Sequence, residues 1–202
     1  GVSELFESNP ELANSVYEVL GFGDDFETIY HHTKVSSKNF DFTNFQRGSK
    51  NISQYGDGLN VSTETNDFFK NRYGNPIEGR VNKKDFINID SNTTAVETYD
   101  YLISLGYKFK NPRSEYEFYS DSPLNDNPAN AYDLFEDFRK SNPSVKGVKI
   151  YNHKIGTDNT KIAPFYVIYD AKSFKSPITP EQKQEAQQLY SSYLQTTNNP
   201  TI

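Results

Sequence analysis

The chain contains no cysteine, no methionine and no tryptophan, and only three histidines. Without cysteine there is neither a disulfide framework nor a thiolate metal site, which suits a reducing compartment. Two of the histidines, His31 and His32, are neighbours in a β-prone stretch, and the third is His153. Successive side chains of a strand point to opposite faces, so the adjacent pair does not converge on one ion, and no metal site is expected. Long apolar runs are missing too. Nothing approaches the roughly 20 residues of a membrane-spanning helix, and no signal-peptide core occurs, so no membrane partner is expected and the cytoplasm is the expected location. Basic residues are outnumbered, 21 Lys and Arg against 27 Asp and Glu, for a net charge of −6. A duplex nucleic-acid binder presents a positive face, so duplex nucleic acid is not an expected partner either. The sequence also lacks Gly-x-Ser-x-Gly, a Walker phosphate loop and His-Glu-x-x-His, and with them the chemistries those motifs serve. Because translation starts at methionine, Gly1 is expected to be a processing scar and the natural protein to extend past both ends.

What is present is a 202-residue chain with a modest apolar share of 34% and an aromatic share of 15%. That length suffices for one domain burying about 70% of its unfolded surface. Fifteen Tyr and fifteen Phe must therefore supply much of the core. Helical spacing of Leu5, Phe6, Leu12, Val16, Val19 and Leu20 predicts an amphipathic helix over Ser3 to Leu20, stopped by Gly21-Phe22-Gly23. Val35 to Ile52 reads as a polar loop anchored by Phe40, Phe42 and Phe45. A helix is expected from Glu64 to Tyr73, capped by Ser62 or Thr63. Another is expected from Thr94 to Leu105, with Val96, Tyr99, Leu102 and Ile103 inward and Gly106 as its stop. Asn111 to Asn130 is dense in Pro, Asp, Asn and Ser and reads as a long loop. A helix over Ala131 to Lys140, strands over Val145 to Tyr151 and Phe165 to Tyr169, and a helix over Pro177 to Leu194 complete an α+β chain.

One region concentrates polar groups on rigid elements. Ile29-Tyr30-His31-His32-Thr33 runs an apolar pair into two imidazoles and a hydroxyl, and a strand end can aim such a ring at a ligand. Tyr55-Gly56-Asp57-Gly58-Leu59-Asn60-Val61-Ser62-Thr63 follows. Its two glycines let main chain approach a bound group closely, and a capped helix behind it brings N–H groups to the same place. The order strand, loop, Gly-x-Gly, strand and helix describes a cleft for a polar, phosphate-bearing ligand.

These residues resemble the ADP-ribosyltransferases of the diphtheria-toxin and poly(ADP-ribose) polymerase type. Ile29 to Thr33 is similar to the family's "YHGT" signature, and Tyr55 to Ser62 to its "YGKGIYFA" strand. Ile77 to Asp90, IEGRVNKKDFINID, resembles the strand pair that follows. Lys146-Gly147-Val148-Lys149-Ile150 and Phe165 to Lys175 resemble the "GYDGI … EYVVFDPEQIK" ending of phage and mobile-element polyvalent proteins. The segment around Leu5 to Phe22 and the stretch Ile178 to Gln182 are similar to spacers in such polyproteins. The resemblance implies a core of two packed, twisted β-sheets with flanking helices over residues 26–176, a docking helix or linker over 1–25, and a helical spacer over 177–202. It also implies neighbouring modules of a larger parent protein as partners, and the host cytoplasm or phage delivery as the setting.

The implied ligand is NAD, as substrate, with no metal and with a protein as the acceptor class. Cleavage of the nicotinamide–ribose bond passes through an oxocarbenium-like state that a carboxylate stabilises. By the resemblance His31 bonds the adenine ribose, the main chain of His32 clamps the nicotinamide amide, and Thr33, Gly56, Gly58, Asn60, Ser62 and Tyr73 complete the NAD site. His32 stands where the family has Gly, Asn60 where it has a Tyr, and Phe165 where it has the catalytic Glu. A replacement carboxylate is offered by Glu115-Tyr116-Glu117, which in an extended segment places Glu115 and Glu117 on one side. It is similar to the E-x-E of arginine-directed transferases. Two other readings stand beside an active transferase. One is a degenerate module that keeps the cleft to bind NAD, nucleotide or protein. The other is a structural or packaging module.

Overall fold

The computed structural model describes residues 7–36, 40, 54–117, 121–156, 158–175 and 180–198. The expectations for Ser3 to Phe6, Phe42, Phe45 and Pro177 lie outside the described residues. In chain order the elements are α1 (Pro10–Leu20), β1 (Phe26–Thr33), β2 (Leu59–Ser62), α2 (Asp67–Tyr73), β3 (Asn75–Asn82) and β4 (Ile87–Asp90). There follow α3 (Ala95–Ser104), α4 (Ser114–Glu117), α5 (Pro128–Ser141), β5 (Gly147–Tyr151), β6 (Lys154–Ile155), β7 (Thr160–Lys161), β8 (Phe165–Ile168) and α6 (Pro180–Asn198). The fold is α+β. Six strands form one sheet in the order β3-β1-β2-β8-β5-β4, antiparallel except for the β4–β5 pair, and β6 and β7 form a two-stranded ribbon. Where the resemblance implies two packed sheets, the described strands thus make one continuous sheet and a small second one.

Alternation along the strands puts apolar side chains on both faces, and each face has its own core. Val148, Ile150 and Val167 point to one side, where Leu102 of α3 and Leu134, Phe135 and Phe138 of α5 cover them. Each of those phenylalanine rings is fully buried, a gain on the order of 2–3 kcal/mol apiece. Ile29, Val61, Ile77, Val81, Tyr166 and Ile168 point to the other side and pack with Phe86 and Phe174. Because β4 and β5 run parallel, the chain must cross over the sheet between them, and α3, α4 and α5 lie in that crossover.

Local chemistry sets the helix ends. Thr94 and Glu97 form a reciprocal capping box at the start of α3. Gly21, at φ 79°, ends α1 in the left-handed conformation that favours glycine. The start of α2 differs from the sequence expectation. Its cap is Asn66, whose side chain accepts from Phe69 N–H at 2.9 Å, while Ser62 belongs to β2 and the Thr63 hydroxyl donates to the Pro164 carbonyl. In α3, Ile103 faces outward at 43% exposed. Within the expected loop over Asn111 to Asn130, α4, a short 3-10 turn at Leu124–Asp126 and the first turn of α5 are formed.

α1 and α6 pack on one another through Ala13, Val16 and Ala186, flanked by Leu12, Leu189 and Tyr190. The Arg80 guanidinium fastens this pair to the sheet. It donates to the Leu20 carbonyl at 3.1 Å and lies 4.5 Å from the Phe22 ring centre, a cation at the negative end of α1. Among the described residues no helix is long and apolar enough to cross a membrane.

Candidate functional site

β1 is paired along its whole length with β3, from Phe26 opposite Asn82 to Thr33 opposite Asn75. Its ladder with β2 is a single residue pair, Tyr30 with Ser62. Beyond Tyr30 the two strands part, and the groups at the parting can be read from the register. Pro76 stands opposite His32. Proline has no N–H to give a ladder, so that position is a non-hydrogen-bonded pair, and the N–H and C=O of His32 turn away from β3 toward β2. The group that would meet them is the main chain of Asn60. Its carbonyl instead accepts from Nδ1 of His31 at 2.9 Å.

That bond fixes the His31 ring. With the proton on Nδ1, Nε2 keeps its lone pair and accepts. Burial pulls the His31 pKa below its ordinary 6.5, against the opposing effect of the Asn60 carbonyl, so the ring is neutral at neutral pH. The Phe40 ring lies across it at 5.0 Å between centres. His32 projects to the opposite face, where its Nε2 is 2.8 Å from the Thr65 hydroxyl and its ring lies 5.4 Å from Phe69. Burial, then the neighbouring charges of His31 and Lys70, lower its pKa as well. Tyr73 continues this aromatic row, stacked on Phe69 at 6.4 Å and 43% exposed. Thr33 spends its hydroxyl locally, accepting from Val35 N–H at 3.1 Å.

The glycines act differently from the sequence expectation. A Cβ on Gly58 would sit 2.6 Å from the Ile168 carbonyl oxygen, and one on Gly56, at φ 92°, would meet the Tyr169 hydroxyl at 3.1 Å. The close approach they permit in the fold is to β8 and to Tyr169. Asp57 between them is tied to α5. The Tyr132 hydroxyl lies 3.2 Å from Asp57 Oδ2 and 3.1 Å from Glu136 Oε1, and Arg139 grips Glu136 with two hydrogen bonds of 2.7 and 3.1 Å. Burial pushes the Glu136 carboxyl up, but the Arg139 guanidinium and Asp57 outweigh it and hold it at about 2.

The three positions matching the family's signature side chains lie on three adjacent strands, β1, β2 and β8, but not on one face. His31 shares the face of Ile29 and Ile77, whereas Asn60 and Phe165 share the other with Val167 and Ser62. Phe165 is packed edge-on by Tyr55 at 5.8 Å and His153 at 5.3 Å. Glu115 and Glu117 sit in α4, where residues two apart point to nearly opposite sides, which corrects the extended geometry expected of them. Glu117 is bound by Arg113, which also pairs with Asp100 at 2.8 Å.

One cluster carries no sequence signature. The Tyr55 hydroxyl lies 2.7 Å from the Ser91 hydroxyl and 2.8 Å from His153 Nδ1. Burial lowers His153 to about 4. Three residues so far apart in sequence are joined only by the sheet, so spacing could not have found them. Among the described residues no group of His, Asp and Glu is arranged to hold a metal ion. No protein-family model, curated protein or solved structure matches the chain.

Proposed function

We infer that the chain is an ADP-ribosyltransferase-like module that binds NAD where β1 and β2 part, and that it holds the dinucleotide without transferring ADP-ribose. One observation carries the reading. The His32 main chain faces the parting with an N–H and a C=O, and the β2 carbonyl next to it is already taken by His31. A carboxamide is the complement of that pair, since it donates through its NH2 and accepts through its oxygen. Nicotinamide presents such a group, and Nε2 of His31, which has no partner among the described residues, accepts from a ribose hydroxyl. Because the contact is main chain, His32 in place of a glycine does not remove it, and its ring is turned to Thr65 and Phe69. The exposed Tyr73 ring offers an aromatic face beyond Phe69.

The absence of turnover follows from the same residues. An oxocarbenium-like state needs an anion beside it, and the position resembling the catalytic Glu is Phe165, held among aromatic rings. Neither Glu117, paired with Arg113, nor Glu115 shares a strand with His31. The α1–α6 pair suits a spacer role beside neighbouring modules of a larger protein. Calorimetric titration with NAD and with nicotinamide tests the reading. Saturable binding of both is expected, with NAD recovered intact after prolonged incubation. No heat from NAD at millimolar concentration would overturn the binding, and released nicotinamide would overturn the lack of turnover.

A further inference from the structure

The six-stranded sheet ends on β3 at one edge and on β4 at the other. The β3 edge is protected. Pro76 sits on it, and Arg80 exchanges main-chain hydrogen bonds of 3.2 and 3.0 Å with Lys175. β4 has no proline and no lysine, and its Asn88 and Asp90 are exposed.

The register shows which groups of β4 face outward. Ser91 N–H donates to the Tyr151 carbonyl at 2.9 Å, so Ile87 and Ile89 turn their main-chain groups to β5, and Phe86, Asn88 and Asp90 turn theirs to the open edge. Two of these outward groups are satisfied within the chain. Phe86 N–H donates to the Lys83 carbonyl at 3.4 Å, and the Asp90 carbonyl accepts from Thr93 N–H at 3.1 Å and from the Thr93 hydroxyl at 2.6 Å. The Phe86 carbonyl, both main-chain groups of Asn88 and the Asp90 N–H have no hydrogen-bond partner among the described residues.

That pattern is its own complement. Set two β4 strands antiparallel with Asn88 opposite Asn88 of a second copy, and the two residues exchange both main-chain bonds, while Asp90 N–H of each copy meets the Phe86 carbonyl of the other. The groups left over at each Phe86–Asp90 pair are the ones already bonded internally. The registers to either side ask Phe86 N–H or the Asp90 carbonyl for a second bond. Ile87 of each copy then stands opposite Ile89 of the other on the face that α3 and α5 cover, an apolar cross-strand pair. On the other face the two Asn88 carboxamides meet, each with a donor and an acceptor to offer.

Helix α3 extends the same edge. Its buried stripe is Ala95, Val96, Thr98 and Leu102. On one flank Asp100 is tied to α4 by Arg113 at 2.8 Å, and α4 is tied in turn to α5 by the Tyr116–Asp137 bond. Tyr132 and Asp57 hold α5 toward the bend before β2. The opposite flank of α3 carries Tyr101, 43% exposed, and Leu105, 51% exposed, one turn apart. It therefore faces away from α5, on the side of β4.

We propose that β4 and this flank of α3 form an interface between two copies of the chain, related by a two-fold axis through Asn88, so that the two sheets continue as one. An axis normal to the sheet keeps both α3 helices on one face, where Tyr101 and Leu105 of each copy meet those of the other. The parting of β1 and β2 lies beyond β8 and β5 and stays open in both copies.

Sedimentation velocity of the full chain at rising concentration tests this. A species of twice the 23.1 kDa chain mass is expected to grow in. Hydrogen exchange is expected to slow at Asn88 and Asp90 as it forms, and to stay the same at Phe86, whose N–H is bonded in either state. Asn88→Pro removes an N–H that β5 does not use, so the fold is retained and association is expected to weaken about tenfold or more, the scale of two lost hydrogen bonds. Leu105→Lys, at an exposed position, sets like charges across the axis and is expected to weaken it similarly with an unchanged melting temperature. Because the chain has no cysteine, Asn88→Cys supplies a single thiol. Facing Cα atoms about 5.5 Å apart suit a disulfide, so oxidation is expected to lock a covalent dimer. A single-chain mass at millimolar concentration overturns the interface. A dimer that Asn88→Pro and Leu105→Lys leave at full affinity, or that Asn88→Cys does not lock, overturns its placement at β4.

Discussion

Pro76 faces His32 across the β1–β3 ladder, and this pairing turns the His32 main chain toward a neighbour whose carbonyl His31 already holds. In His31→Ala the Asn60 carbonyl is released and becomes free to pair with His32 N–H, closing the parting of the strands. NAD affinity is expected to fall at least tenfold by calorimetry. In His32→Gly the main chain remains, so affinity is expected to stay within about threefold, while stability drops by about 1–2 kcal/mol through loss of the Phe69 and Thr65 contacts. The opposite ranking of the two variants would place the ligand elsewhere.

Acid should loosen the fold through His153. Its folded pKa lies at about 4 against an ordinary 6.5, so between those values the unfolded chain binds the proton first. The stabilisation is complete above about pH 6.5 and is lost as pH falls toward 4. A displacement of that size is worth at most about 3 kcal/mol, and about 1–2 for a ring with partial access to solvent. His31 and His32 are lowered as well and act with the same sign. Thermal melts across this range should show the decline, and His153→Gln, which still offers Tyr55 a hydrogen-bond partner, should make it shallower.

Removing Arg139 leaves Glu136 buried beside Asp57 without its cation. Arg139→Met is expected to destabilise the chain by about 2 kcal/mol, below the figure for fully buried pairs because the guanidinium is partly exposed. For a chain of this size that is roughly a 4–8 °C lower melting temperature. Glu136→Gln in the Arg139→Met background should recover part of the loss, and calorimetry of the double variant checks it.

Gly58→Ala forces a methyl to within 2.6 Å of a β8 carbonyl that cannot move without breaking the ladder. A loss of about 2–3 kcal/mol is expected, the scale of overpacking. Chemical denaturation measures it directly. A neutral result would mean that the glycine bend is free to shift and that its shape is set by something other than β8.

The parts of this fold that could be read from the residues are those whose cause is local. The helix that begins near Thr94, the Gly21 stop and the apolar run of β8 are each set by residues within a few positions of one another. Ser62, Thr63 and Asn66 are all good caps for α2, and only the pairing of Ser62 with Tyr30 and Phe165 removes it from the contest. Four residues are too few to show a period in the E-x-E stretch; a single helical turn held to α3 through Arg113 and Asp100 and to α5 through Tyr116 and Asp137 decides it. At the site, the closeness of His31 to the Asn60 strand was legible as an order of motifs. The facing of the side chains was not, nor was the meeting of Tyr55, Ser91 and His153, since both depend on the register of distant strands.

The partnership of β2 with β8 has a consequence in time. β2 is made early on the ribosome, but one edge of it stays bare until Phe165–Ile168 emerge, and β8 also supplies the link that joins β1, β2 and β3 to β5 and β4. Long-range pairing of this kind is slow and leaves nascent strand edges exposed to other chains. A nascent chain arrested before β8 would carry every residue of the parting between β1 and β2 and yet have no wall behind it, so ligand competence should switch on late and all at once during synthesis.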